Sequence, residues 1–237
     1  MAGHSKWSQI KRAKGKTDVA RGKIFTKLGR EIAVAVKLGG TDPNANSRLR
    51  DAIAKAKAEN MPNDNIARGI KKAAGELSSI NYESMIYEGY GPGGVAIIVE
   101  TLTDNKNRTA AEMRHIFDKY GGSMGVTGCV SYLFEEKGVL VIEKKKGIDE
   151  DAVMMDSLDA GAEDMINEED VFEITTSSAD FSKVRENLEK KGYKFISASI
   201  EKIPSTTAKT TDLVKFEKML DLFDENDDVQ NVYHNHE

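Results

Sequence analysis

The chain reads as an α+β protein: a small N-terminal helical bundle followed by two α/β domains, the last of them ferredoxin-like and inserted into the middle one. Three observations predict this. Apolar residues recur at three- and four-residue steps from about residue 17 to 75, and at Ile80 that period gives way to the alternation of strands. From Gly138 six elements then follow in the order βαββαβ. The length of 237 residues accommodates three small cores. The implied boundaries are 1–79, 80–136 together with 203–237, and 137–202.

Between Met1 and Lys16 only Trp7 and Ile10 are large and apolar, so this stretch reads as a mobile basic arm with one aromatic plate. Ile24, Phe25, Leu28, Ile32, Ala35 and Val36 then share one face, which predicts a helix from Thr17 or Asp18 to about Leu38, ended by Gly39-Gly40. A second helix is expected from Asp42-Pro43 or Asn44 to Glu59, with Leu49, Ile53 and Ala56 inward, and Met61-Pro62 stops it. Asn63 is expected to cap a third over Asp64–Ala74, burying Ile66 and Ile70.

Tyr82–Glu88 and Val95–Thr101 read as a hairpin around Gly89–Gly94. The continuous apolar centre of the second strand predicts burial on both faces. A helix over about Asn107–Tyr120, the loop GGSMGVTG and a strand at Cys129–Phe134 follow. The ferredoxin-like order is strand Val139–Glu143, helix Asp149–Ala160, strands Glu163–Asn167 and Val171–Thr176, helix Phe181–Lys191 and strand Phe195–Ile200. A last helix, Leu213–Phe223, and strand, Val229–Tyr233, complete a middle unit otherwise limited to ββαβ, which is why the ferredoxin-like unit reads as an insertion. A contiguous third domain running to the C-terminus is the alternative.

Composition excludes several classes. No apolar run approaches the ~20 residues that span a bilayer, and the N-terminus lacks the apolar core of a secretory signal, so a cytoplasmic protein without membrane contact is expected. The arm has a transit-peptide composition, yet Thr17–Leu38 continues without a cleavage-like break. Cys129 is the only cysteine, which rules out an internal disulfide and a thiolate cage.

The distribution of charge is more informative than its total of −5. Residues 1–30 hold Lys6, Lys11, Arg12, Lys14, Lys16, Arg21, Lys23, Lys27 and Arg30 against Asp18 alone, a balance of +8. Residues 1–75 carry 17 Lys and Arg against 6 Asp and Glu, or +11, leaving −16 on the other 162. A basic head on an acidic body meets a polyanion in one orientation. Each phosphate it neutralises releases counterions, and Trp7 can stack on an exposed base. These nine cations and Trp7 are the candidate nucleic-acid-binding residues; a solvated terminus is the alternative.

No catalytic or metal site is expected, and no cofactor. GYGPGGV lacks the Lys-Ser or Lys-Thr of a phosphate loop and joins two strands, so it reads as hairpin geometry. His4 and His115 have no Ser or Cys partner at motif spacing, and Cys129 lies in an apolar run. His234 and His236 share a strand face, but two ligands at a terminus make a weak site, and the acidic run Asp221–Asp228 lacks the rhythm of a calcium loop.

Two loops invite a functional reading. Asn105, Lys106, Asn107 and Arg108 open a helix whose free N–H groups and flanking cations suit an anion; simple capping is the alternative. Gly121, Gly122, Ser123, Met124 and Gly125 allow backbone to approach another surface closely, or serve only a helix-to-strand turn.

GHSKW with IKRAK, the Met61-Pro62 break followed by Asn65-Ile66, YEGYGPGGVA, ETLTDNKNRTAAEMRH, and GGSMG with Phe134 after it together resemble the YebC family, which includes bacterial regulators of that name and the mitochondrial activator of cytochrome oxidase translation. The resemblance covers nearly the whole chain. It implies a three-domain protein that is not an enzyme. Members are described as DNA-binding transcriptional regulators and as ribosome-associated factors that help translation through consecutive prolines.

Between these, the residues favour RNA. Sequence-specific DNA reading calls for a helix with Arg, Asn or Gln aimed at base edges on a dimer, whereas the outward residues here are mostly Lys and Arg. The expected partner is ribosomal RNA or the ribosome, with DNA as the alternative and a monomer as the expected state. A hidden nuclease would need clustered carboxylates near the head, and those of residues 1–75 are scattered.

Overall fold

The computed structural model describes residues 7, 10, 18–75, 81–145 and 147–237, with the side chains of the first helix from Gly22 onward. Helices α1 (Asp18–Gly39), α2 (Ser47–Ala58) and α3 (Asn63–Ala74) pack around Leu28, Ile32, Ala35, Leu49, Ala56 and Ile66. The second helix starts later than its pattern predicts because the chain caps it with Asn46. The Asn46 side-chain oxygen accepts from the Leu49 N–H at 3.0 Å, while its amide donates to the Ala35 and Gly40 carbonyls at 2.8 Å each. Asn63 is the first residue of α3 and not its cap. The Pro62 carbonyl opens the ladder by accepting from Asn65 and Ile66 at 2.9 and 3.2 Å, from a ring already fixed at φ −57°.

The next unit is β1 (Glu83–Tyr90), β2 (Ala96–Thr103), α4 (Lys106–Lys119) and β3 (Ser123–Met124). After β3 the chain builds β4 (Phe134–Glu143), α5 (Glu150–Ala160), β5 (Asp164–Asn167), β6 (Val171–Ser177), α6 (Phe181–Lys190) and β7 (Phe195–Pro204). It then returns with α7 (Leu213–Glu225) and β8 (Val229–His234). The first sheet has the order β3-β1-β2-β8 and the second β5-β6-β4-β7, both antiparallel, so the ferredoxin-like sheet is enclosed in sequence by strands of the first. No described helix is long and apolar enough to cross a membrane.

Strand β2 is buried on both faces, as its apolar centre predicts. Ile97 and Val99 meet Phe117, Phe216 and Phe223 beneath α4 and α7, while Ala96 and Ile98 meet Val130 and Tyr233 on the reverse. The strand expected at Cys129–Phe134 does not form. The buried carboxylate of Glu88 accepts from the N–H groups of Gly128, Val130 and Ser131 at 2.8, 2.9 and 2.8 Å, and a 3-10 turn over Ser131–Leu133 follows. Backbone donors satisfied by a side chain need no neighbouring strand. The outer partner of β1 is instead β3, within the glycine loop.

Strands β4 and β7 outrun their apolar patterns, since Phe134–Lys137 pairs with Glu201–Pro204 and the Ser205 N–H reaches the Leu133 carbonyl at 2.8 Å. The two crossings between the sheets therefore run as one ribbon. Helices α5 and α6 cover one face of the second sheet through Leu140, Ile142, Phe172, Ile174 and Leu188. Trp7 and Ile10 pack on the other, against Val139, Val141 and Val171.

A Cβ at Gly122 would stand 2.4 Å from the Tyr90 carbonyl oxygen, whereas at Gly29, inside α1, it would meet nothing within 4 Å. Gly122→Ala is expected to lower the unfolding free energy in urea by about 1–3 kcal/mol. Gly29→Ala should raise it by about 0.5–1 kcal/mol, because alanine has less backbone freedom to lose.

Candidate nucleic-acid interface

Of the residues expected to grip phosphates, Lys6, Lys11, Arg12, Lys14, Lys16 and the side chain of Arg21 lie outside the described residues. The others are placed, and they face the protein. Lys23 and Lys27 donate to the carbonyls of Glu225 and Asp224 at 3.1 and 3.0 Å, in the last turn of α7, where the helix dipole is negative. Arg30 donates to the Leu102 carbonyl at 3.0 Å and to Asp228 at 2.5 Å. Trp7 is 8% exposed, with its backbone N–H directed at the Glu173 carboxylate at 3.4 Å. The indole, expected to serve as a base-stacking plate, is packed against Val139, Val141 and Val171 on the face of the second sheet opposite α5 and α6.

Asp228 collects the polar contacts of this corner. Its carboxylate also accepts from Arg108 at 2.7 Å, Thr109 at 2.7 Å and Thr103 at 3.1 Å, and the residue is 3% exposed. Burial alone would push its carboxyl up, but hydrogen bonds from Arg108, Thr109 and Arg30 outweigh it and hold the group at about 2. The loop expected to take an external anion is thus engaged with the chain's own. Asn105 caps α4 by accepting from the Arg108 N–H at 3.1 Å, Lys106 pairs with Glu83 at 2.5 Å, and Arg108 also reaches Asp104 at 2.9 Å; Asn107 is exposed.

In the glycine loop, Gly121 adopts φ +77°, Ser123 and Met124 pair with Tyr90 and Gly89, and the Gly125 N–H donates to the Glu88 carbonyl at 2.8 Å. Gly122 is required by its contact with β1, Gly121 by its positive φ, and Gly125 by the Cys129 side chain beside it. Beyond them Val126 and Tyr132 stand 79% and 72% exposed. The two loops are not brought together. They sit at opposite ends of α4, whose 14 residues span roughly 21 Å.

One set of cations is absent from the sequence-based candidates. Arg68, Lys71 and Lys72 are exposed on α3 at i, i+3 and i+4, which places them on one face. That spacing, with no acid between them, is the signal that could have found them.

Where the bundle meets both sheets there is a cleft of about 360 Å³ lined by Glu31, Lys55, Glu100, Glu201, Lys202 and Tyr233 among others. Its two lysines are paired with carboxylates of the same cleft. Lys55 lies 3.2 Å from Glu31 and Lys202 3.2 Å from Glu100. Burial opposes the Lys55 charge, but Glu31 outweighs it and raises the ammonium above its ordinary value. Burial likewise pushes the Cys129 thiol up, which disfavours the nucleophilic thiolate. Among the described residues no group of three His, Cys, Asp or Glu is arranged to hold a metal.

Because the Asp228 carboxyl is depressed from 3.8 when folded, its stabilisation is present above pH 4 and lost as pH falls towards 2. Asp228→Asn leaves Arg30 without its countercharge and Arg108 with only the exposed Asp104 and Glu112, and is expected to cost about 3 kcal/mol at pH 7. The gap between variant and parent, measured by denaturation, should close between pH 4 and 2. Trp7 is the chain's only tryptophan, so native emission should be blue-shifted and weakly quenched by iodide; the emission of a fully solvated indole would contradict its placement.

Residues 5–76 match the model of the TACO1/YebC protein N-terminal domain, and residues 82–236 that of the TACO1/YebC second and third domain. A probable transcriptional regulatory protein of Acetivibrio thermocellus is 61% identical over 238 residues, covering 99% of this chain and 98% of the relative. One from Clostridium novyi is 59% identical over 240 residues, covering 100% and 97%. The crystal structure of a conserved hypothetical protein from Aquifex aeolicus superposes with a TM-score of 0.82 at 45% identity, covering 100% of this chain and 95% of that one. With residues 5–76 and 82–236 both matched, the chain belongs to the TACO1/YebC family.

Proposed function

We propose that the protein is a non-enzymatic nucleic-acid-binding regulator that acts in translation, associating with the ribosome through RNA and assisting elongation through stalling sequences such as proline runs. The observation that carries this reading is the segregation of charge, +8 in the first 30 residues against −16 beyond residue 75. Arg68, Lys71 and Lys72 extend the basic head, and Lys71 and Lys72 are point charges suited to phosphate. Arg68 is tied to Asn65, so α3 presents no free Arg and Asn pair to base edges. The acidic body carries the glycine loop, with Val126 and Tyr132 at its surface, as the candidate effector. On this reading the protein works in the cytoplasm as a monomer without a cofactor.

The second reading is a DNA-binding transcriptional regulator, favoured by the names of the relatives. Two variants separate the readings, one with Lys11, Arg12 and Lys14 changed to Glu and one with Arg68, Lys71 and Lys72 changed to Glu. Both are expected to leave the ribosomal fractions of a sucrose gradient. For every phosphate that a variant no longer neutralises, the slope of log K against log salt should fall by about 0.7 on single-stranded RNA. Unchanged sedimentation of both variants, or a promoter fragment bound about a thousandfold more tightly than bulk DNA, would overturn the translation reading.

A further inference from the structure

Helix α5 is apolar on two opposite faces. Val153, Ser157 and Ala160 are buried towards the second sheet, while Met154, Met155 and Leu158 stand 40%, 67% and 55% exposed on the outside. Met154 and Leu158 are four residues apart and Met155 and Leu158 three, so the three side chains adjoin. Covering a sheet requires one apolar stripe. The outer stripe contributes nothing to this fold.

The rim of that stripe is acidic along α5 itself, with Lys191 of the neighbouring turn beside Asp156 and Asp159. Glu150 precedes Met154 by one turn, Asp151 precedes Met155, and Asp159 follows Met155. Residues 149–170 contain ten Asp and Glu and no Lys or Arg. Asp156 is held by Lys191 at 2.5 Å and by the Tyr193 hydroxyl at 2.6 Å. The Asp159 side chain is 76% exposed and meets Lys191 only at 4.0 Å; Glu150 and Asp151 are exposed and form no ion pair among the described residues.

We propose that the outer face of α5 docks a basic amphipathic segment of another protein, whose apolar side chains sit on Met154, Met155 and Leu158 while its Lys and Arg residues meet Glu150, Asp151 and Asp159. Unbranched methionine side chains adapt to varied apolar partners, and an apolar ridge with a charged rim is how helices are taken up lengthwise. The carboxylates of α5, which outnumber the one neighbouring cation Lys191, repel phosphate and so disfavour both nucleic acid and anionic lipid. Trp7 and Ile10 of the chain's own arm are seated on the opposite face of the same sheet. The proposal goes beyond the nucleic-acid reading and does not depend on it. A basic head and this acidic ridge can engage two partners at once.

The test uses the full-length protein, a labelled synthetic helix of leucine and lysine, and the same helix with glutamate in place of lysine. Fluorescence anisotropy should show binding of the first and none of the second. Met155→Ser with Leu158→Ser keeps every carboxylate, and Asp151→Lys with Asp159→Lys keeps the apolar ridge; each pair is expected to weaken binding by about tenfold or more. These positions are exposed, and circular dichroism checks that both variants fold. Binding that survives loss of Met155 and Leu158 would be charge attraction alone and would overturn the proposal, as would binding of neither peptide. Sedimentation equilibrium supplies the last arm: self-association that the Met155→Ser, Leu158→Ser variant abolishes would assign the face to a second copy and overturn it as well.

Discussion

The carboxylate of Asp228 is the contact on which the placement of the N-terminal bundle rests. It accepts from Arg30 on α1, from Arg108 and Thr109 on α4, and from Thr103 at the end of β2, so one side chain joins three elements. A buried charge is tolerated only when its hydrogen-bonding capacity is met, and here both oxygens are engaged. Lys23 and Lys27 add to it by meeting the carbonyl end of α7. On its other side the bundle is tied to α6, where Asp51 accepts from the buried Arg185 at 2.7 Å and Arg50 meets Glu186 at 3.1 Å.

This arrangement changes the meaning of the charge asymmetry. A basic head on an acidic body suggests attraction to an outside polyanion, yet part of that attraction is satisfied within the molecule. Lys23, Lys27 and Arg30 serve as adhesive between bundle and body, and the cations that α1 turns inward are occupied by the protein itself. Of the described residues, α3 turns a basic face outward through Arg68, Lys71 and Lys72, and Arg48 and Lys57 of α2 are exposed as well. The acidic end of the dipole is also specialised. Its densest stretch surrounds the exposed ridge of α5, far in sequence from the carboxylates that hold the bundle.

A second buried acid shapes the loops in the same way. Glu88 gathers three backbone N–H groups, holds the glycine loop against β1 and leaves Val126 and Tyr132 outside. Burial would raise its carboxyl, but the N–H donors of Val130, Gly128 and Ser131 outweigh that and keep it ionised. Glu88 thus organises the loop as Asp228 organises the helix interface.

Local order was legible before any tertiary contact was known. The order of elements and the βαββαβ unit follow from periods of 3.6 and 2, which act between residues a few positions apart. The double burial of β2 follows from its continuous apolar centre, and the return of α7 and β8 is the expected completion of a ββαβ unit, with a contiguous third domain as the alternative. Long-range side-chain partners were not legible. Arg30 meets Asp228 across 198 residues, Trp7 meets Glu173 across 166, and Glu88 reaches Val130 across 42 to replace an expected strand with a turn. A lysine or arginine has the same periodicity whether it faces water, a phosphate or its own chain. Only the folded arrangement decides which, because the deciding charge arrives from a distant part of the sequence.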